Sequence, residues 1–568
     1  GLTMSAAGSG APLPTDLRRN AALVVDANPT TRMTLAGQLR SFGFTSISQT
    51  GRIADARREI ERHPFDLVVC AGTFPRGGSG QELLDDLRRS GLLPYGTVFI
   101  LITDEATYLK VVEAAESSVD SYIVRPYSAA TLYDRIEQAQ RRKAALWEIY
   151  RALEERRCDD AIERCLERVA TQGPQWLSAA RWGAEIMLRL GRFGQAQALF
   201  QSIWDAQAQP WALLGVARCQ LDSGAPSAAL ETLRQLIEVA PDYPDAYDVL
   251  GRAQMELGRF DDALDSLQRA LEATPMAIGR QQRLGMLAFF LGNRDKAVEL
   301  LQRATDLGLD SKMFDAESLV LLAIAAFERH DAAELERHQA ELAKRARGYP
   351  DDNRLQRFVA LVDLLAQALP TPDEERRTRV ATELTAMAPG VGTPDFDMEA
   401  ACNLLAALAA LAHQGCTPEH DALVERLGLR FATSKAMGEL LASAASHHTR
   451  YAQRLRECET TMVQRIEQAL RRAHDGEPVL ALAELCTIAR DTLNARAVES
   501  AWLVLQRYQR DIPNPERWQQ RVQALRQGYG TARNRPALGD PRLRPSGGVH
   551  LGPMDRAPAP VRVDNVAA

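Results

Sequence analysis

Three sets of residues in this 568-residue chain are of types that do chemistry, and one of them has a pattern to match. The eight cysteines, at 70, 158, 165, 219, 402, 416, 458 and 486, include no Cys-x-x-Cys pair and no Cys/His cluster at zinc-ligand spacing. Cys158 and Cys165 fall about two turns apart on one helix, but two thiols alone make a poor metal site. Small buried apolar residues of a reducing cytosol are the expectation. His447-His448 lacks an acidic or cysteine companion at ligand spacing and reads as a solvated pair at a helix start. Neither a P-loop nor a Gly-x-Ser-x-Gly elbow occurs, so an enzyme is not expected. The third set stands apart. Asp26, Thr103 and Arg125 each close a short apolar run, and open parallel sheets do their chemistry at such strand ends.

The elements that position this set alternate strand and helix from about Asn20 to Lys143. Ala21–Val25, Phe65–Cys70, Val98–Ile102 and Ser121–Val124 are continuous apolar runs. Thr30–Phe42 carries Met33, Leu35, Leu39 and Phe42 at helical spacing. Such runs between amphipathic helices predict a parallel sheet covered on both faces. The run ends read Val24-Val25-Asp26-Ala27-Asn28-Pro29, Val69-Cys70-Ala71-Gly72-Thr73-Phe74-Pro75, Ile102-Thr103 and Tyr122-Ile123-Val124-Arg125-Pro126-Tyr127. In order and spacing they resemble the ends of the first, third, fourth and fifth strands of the response-regulator receiver domain, over about 120 residues.

The resemblance implies a flavodoxin-like α/β domain with a five-stranded parallel sheet. Its chemistry is phosphoryl transfer to one aspartate, with Mg²⁺ on that aspartate and a nearby acidic pair, and a hydroxyl and a lysine on the phosphoryl oxygens. Carried over residue by residue, the acidic pair is Asp26 followed by Ala27, and the acceptor is Ala71. The hydroxyl is Thr103, the lysine position holds Arg125, and the switch aromatic is Tyr122. A methyl group accepts no phosphoryl group, so no catalytic residue, metal or cofactor is expected. A substitute acceptor, with Asp26 and Asp104 nearby, is the alternative. Arg125 is expected to pair with Asp26 and hold one conformation. The resemblance also implies a dimer or partner face over Thr107–Ser117, Ser121–Val124 and Ala129 onward. The last helix shows no stop before Gly173, apart from a candidate break near Arg141–Lys143.

Beyond it the sequence repeats every 34 residues: Gly251 and Gly285, Leu250 and Leu284, Gly258 and Gly292, Ala229 and Ala263, Pro241 and Pro275. The clearest unit is Tyr247-x-x-Leu250-Gly251, Gly258-x-Phe260-x-x-Ala263, Leu267-x-x-Ala270-Leu271-x-x-x-Pro275, which resembles the tetratricopeptide (TPR) repeat. Small residues let paired helices approach, Gly258 ends the first helix and Pro275 stops the second. About five units cover residues 144–310, and a degenerate all-α solenoid continues over 311–529. The stripe Tyr451, Leu455, Cys458, Met462, Ile466, Leu470 is too short for a coiled coil and is expected in the core. The resemblance places partner-facing positions around the small glycines: Asp245, Asp248, Arg252, Met255 and Glu256, then Gln282, Met286, Phe289 and Phe290. The competing expectation packs Met286 and one phenylalanine into neighbouring units.

Residues 1–19 read as disordered, with Gly1-Leu2-Thr3 as a remnant ahead of Met4, and residues 530–568, rich in Gly, Pro and Arg, as a disordered, solvated tail. Net charge is −6, with 46% hydrophobic and 25% charged residues, so bulk attraction to nucleic acid is not indicated. The most apolar helical run, Ala400–His413, is shorter than the ~20 residues a membrane span needs. Together these predict a cytoplasmic, phosphorylation-independent adaptor or scaffold of a bacterial two-component system. Its expected partners are proteins: a histidine kinase, another receiver, its own copy as a homodimer, or a peptide or helix in the TPR groove. The alternatives are a transcription regulator, for which no basic recognition helix stands out, and a phosphorelay response regulator.

Overall fold

The computed structural model describes residues 19–76, 78–104, 119–309, 311, 313–369, 373–412, 417–531, 538–539, 547–549 and 551. Five strands, β1 (Ala21–Val25), β2 (Ser46–Thr50), β3 (Leu67–Ala71), β4 (Val98–Thr103) and β5 (Ser121–Val124), form one parallel sheet in the order β2-β1-β3-β4-β5. β3 and β4 are buried along their whole length, as their unbroken apolar runs require. β2, at the sheet edge, escaped the sequence reading because Ser-Ile-Ser-Gln-Thr has no apolar run to bury. Helices α1 (Pro29–Ser41) and α4 (Ala129–Ala145) cover one face, and α2 (Ile53–Arg62) and α3 (Gly80–Arg89) the other. Thr107–Ser117 of the expected partner face lies outside the described residues.

Register brings the functional ends together. Val25 pairs beside Cys70, Ala71 beside Ile102 and Thr103 beside Val124, so β1, β3, β4 and β5 finish side by side. Asn28 then turns the chain into α1, its side-chain oxygen accepting from the amides of Thr30 and Thr31.

The apolar stripe leaving α4 is interrupted at Leu146, three residues beyond Lys143, where ψ reaches 10° before the helix Trp147–Glu154 begins. From there helix pairs stack to the helix Pro515–Tyr529. The repeat logic holds in detail. A Cβ on Gly251 would lie 2.9 Å from Leu267 Cγ, and one on Gly285 2.8 Å from Leu301 Cγ, so each first helix approaches its second where only glycine fits. Gly258 sits at φ +78° between the two helices. Tyr451, Leu455, Cys458, Met462 and Ile466 of the long helix Thr449–His474 are buried, as core packing predicts, while Leu470 is partly buried. The helix Lys435–Ala444 folds back onto Pro244–Glu256 and Ile278–Phe290, with Ala436 against Gly258.

The α/β domain is clamped to the solenoid. Tyr95 stacks on Tyr150 and meets Trp182 edge-on, at 6.0 and 5.5 Å between centroids. Lys143 bonds the Tyr95 carbonyl and pairs with Asp120 at 3.2 Å. Farther along, Glu82 on α3 accepts from the amide of Ile278 at 2.9 Å, capping the helix Ile278–Phe290 from outside the solenoid.

Candidate functional site

The strand-end pocket is built around Asp26, which is 6% exposed. One carboxylate oxygen accepts from the Asn28 amide at 2.9 Å, and the other from the Arg125 guanidinium at 2.7 Å. The Asp26 carbonyl accepts from Arg32 at 2.6 Å. The guanidinium also faces Asp104 at 3.5 Å, and the Arg125 amide donates to the Thr103 carbonyl. Ala71 ends β3 with a nearly buried methyl. Above it the chain doubles back: Gly72 and Gly80 are hydrogen-bonded, Thr73 bridges Ser79, and a Cβ on Gly80 would lie 2.5 Å from the Ala71 carbonyl oxygen. Burial, reinforced by the Asp26 charge, pushes the Cys70 thiol well up, which leaves it an unreactive neutral group. Beside Ala27 an open cleft is rimmed by Arg52, Arg58 and Arg76.

Tyr122 and Thr103 also line a cavity of about 210 Å³ between this domain and the solenoid. Its far wall carries Asp245, Asp248, Met276, Arg280 and Arg283. Arg280 is 5% exposed and bonds Asp245 at 2.7 Å and Asp248 at 3.0 Å, fixing two carboxylates that the repeat pattern had placed on the groove.

Residues 22–137 match the model of the response regulator receiver domain. The chemotaxis protein CheY-3 of Vibrio cholerae is 33% identical over 116 residues, which cover 20% of this chain and 88% of that protein. The chain belongs to the response regulator receiver family. The receiver is also 31% identical to the chemotaxis protein CheY of Pseudomonas aeruginosa over 116 residues, 20% of this chain and 92% of that protein. Residues 187–253, 220–284 and 280–307 match tetratricopeptide repeat models. A solved TPR protein, TTC0263 of Thermus thermophilus, is 27% identical over 33% of this chain and 98% of its own, with a TM-score of 0.27. A receiver joined to TPR repeats places the chain in two-component-type signalling and in protein interaction. Among the described residues no helix is long and apolar enough to cross a membrane.

The receiver set of Asp26, Ala27, Ala71, Thr103 and Arg125 gathers at the C-terminal end of the sheet, and the expected pairing of Arg125 with Asp26 is present. The groove set divides. Met255, Met286, Phe289 and Phe290 are buried among apolar side chains. Phe289 is fully enclosed, edge-on to Phe290 and beneath Arg294. It lies four residues after Gly285, on the stripe that meets the neighbouring helices. Gln282 is likewise interior, donating to the Met313 carbonyl and accepting from the Asp315 amide. Arg252 is half-buried, bonded to Asp222 at 2.8 Å, with Glu256 beside it.

Two further expectations are corrected. His448 starts its helix as read, but it is buried, stacked on Tyr451 at 3.6 Å and accepting from the Tyr451 amide. Within the segment read as a solvated tail, Gly547–Val549 and Leu551 are buried against the solenoid, because two glycines and two apolar residues fit its concave wall. The buried pair Glu185–Arg218 was missed. Its signal was a charge 33 residues from its opposite on otherwise apolar first helices.

Proposed function

We propose that the chain is a non-enzymatic, phosphorylation-independent adaptor of a two-component-type system, in which the receiver acts as a contact module and the solenoid holds a partner protein. The observation that carries this reading is the methyl group of Ala71 at the end of β3, beside an Asp26 whose carboxylate is already bonded to Arg125. The donor set argues the same way. Mg²⁺ takes oxygen ligands, and of the family's acidic pair and acceptor only one carboxylate is left, itself neutralised by a guanidinium. Among the described residues no cluster of three acids, histidines or cysteines is placed to hold a metal. The residues present therefore do not fit the family's Mg²⁺, and no step is routed through it. A guanidinium in permanent contact with Asp26 supplies the positive charge that metal and phosphoryl group would otherwise bring and take away. This favours a receiver held in one conformation.

The test is incubation of the full chain with Mg²⁺ and a small-molecule phosphodonor, read by intact mass and peptide mapping. No phosphoryl adduct is expected within residues 20–143. A hydroxylamine-sensitive adduct on Asp26 or Asp104 overturns the reading in favour of a substitute acceptor.

A further inference from the structure

Three first helices of the solenoid present buried groups to one line of chain. Arg218 (helix Pro210–Asp222) donates two hydrogen bonds to the Glu185 carboxylate (helix Trp176–Arg189), at 2.7 and 2.9 Å. Asp245, at the start of Pro244–Glu256, gives one oxygen to Arg280. Its second oxygen accepts from the amide of Gly547 at 3.0 Å. Gly547, at φ +75°, lies over Leu214, where a Cβ would come within 2.2 Å of Leu214 Cδ2. Gly548 lies over the Glu185–Arg218 pair, where a Cβ would be 2.7 Å from both partners. Val549 and Leu551 are then 3% and 2% exposed, and join the apolar cluster of the first repeats. The Leu551 carbonyl accepts from Arg189. Upstream, Gly539 lies beside Met286 and Asp315, and Leu538 packs near Met255 and Leu287.

Leu538 and Gly539 therefore lie against the repeats around Met255 and Met286, and Gly547 to Leu551 against the earlier ones around Leu214, Arg218 and Arg189. The contacts are specific: an amide on a buried carboxylate, two positions where any side chain would collide, and two apolar side chains at alternate positions. We infer that the segment carrying Leu538, Gly539, Gly547–Val549 and Leu551 is an intramolecular peptide ligand of the groove, competing there with a partner segment of the same pattern: two residues without side chains followed by apolar residues at alternate positions. The inference rests on the reading of the solenoid as a protein-binding surface and names what that surface recognises. A tethered ligand works at millimolar effective concentration, so an untethered peptide of similar intrinsic affinity is held off by about ten-fold or more.

The experiment uses the full chain and the double variant Val549→Asp/Leu551→Asp, in which two buried apolar contacts become charges, with an unchanged helical signal as control. Hydrogen exchange reads the segment itself. At least ten-fold slower exchange at Gly547 in the wild type than in the variant is expected. A fluorescent peptide of sequence 545–552 reads the groove and is expected to bind the variant at least ten-fold more tightly than the wild type. Gly547→Val, which denies both the φ and the space, should reproduce both results. Open-chain exchange at Gly547 in the wild type overturns the intramolecular ligand and leaves the groove to an external protein. Protection without a difference in peptide binding overturns the competition. Neither result bears on the phosphodonor test of the receiver.

Discussion

Raising the pH through neutrality should loosen the solenoid by an amount its buried carboxylates set. Asp315, Glu317 and Glu399 are each at most 3% exposed and share one guanidinium, that of Arg354. Arg354 bonds both Glu399 oxygens at 2.8 Å and Asp315 at 2.9 Å, while Glu317 is met by the Asn403 amide at 2.6 Å. One cation does not balance three anions in a dry interior. Burial holds Glu399 at about 7, from an ordinary 4.5, against the opposing pull of Arg354. Glu317 is pushed well up by burial and by the Glu399 charge. Below pH 4.5 folded and unfolded chains both carry the Glu399 proton. Between 4.5 and 7 only the folded chain does, so the Glu399 contribution to stability falls as pH rises through that window and is gone above it. At about 1.4 kcal/mol per pH unit the loss is about 3 kcal/mol. Glu399→Gln keeps the shape and one acceptor for Arg354 and cannot ionise. Urea unfolding followed by the helical signal, from about pH 4.5 to about pH 8, should show the variant gaining about 3 kcal/mol relative to wild type across the window. Parallel pH profiles for the two proteins would refute the reasoning.

Phe289→Ala should cost about 3–5 kcal/mol, read as a lowered urea midpoint, because the ring is fully buried, whereas Arg252→Ala should cost less, about 1 kcal/mol, from a half-buried pair. Arg125→Ala leaves a nearly buried Asp26 carboxylate without its cation and should lower the receiver's thermal midpoint, by about 1–3 kcal/mol of stability. Adding Asp26→Asn should return much of that loss, giving a favourable coupling in the double-mutant cycle. Gly80→Ala forces a methyl to within 2.4 Å of Leu101 Cδ2 and should cost about 1–3 kcal/mol, measured by the same melt.

Much of this molecule is written in local pattern. Apolar runs of strand length with polar ends specify β1, β3, β4 and β5, and a parallel sheet brings those ends together whatever lies between them. That is why Asp26, Ala71, Thr103 and Arg125 were legible as one site. The 34-residue recurrence of glycine, alanine and proline specified helix pairs, since each small residue marks a close approach. The edge strand β2 had no such signal. Only the tertiary structure decided which side of a solenoid helix becomes interior. Gln282 is enclosed by Met313 and Asp315, which its own repeat does not contain, while Arg252 is only half-buried. It also set the receiver against the repeats through Tyr95, Tyr150, Trp182 and Glu82, and laid Gly547–Val549 and Leu551 along the groove. The receiver and tail contacts among these join residues from 55 positions apart, as in Tyr95 and Tyr150, to more than 300. Periodicity reports what a residue does to its own helix or strand; what packs onto that element from far along the chain depends on shape and charge matching that appear only once both surfaces exist.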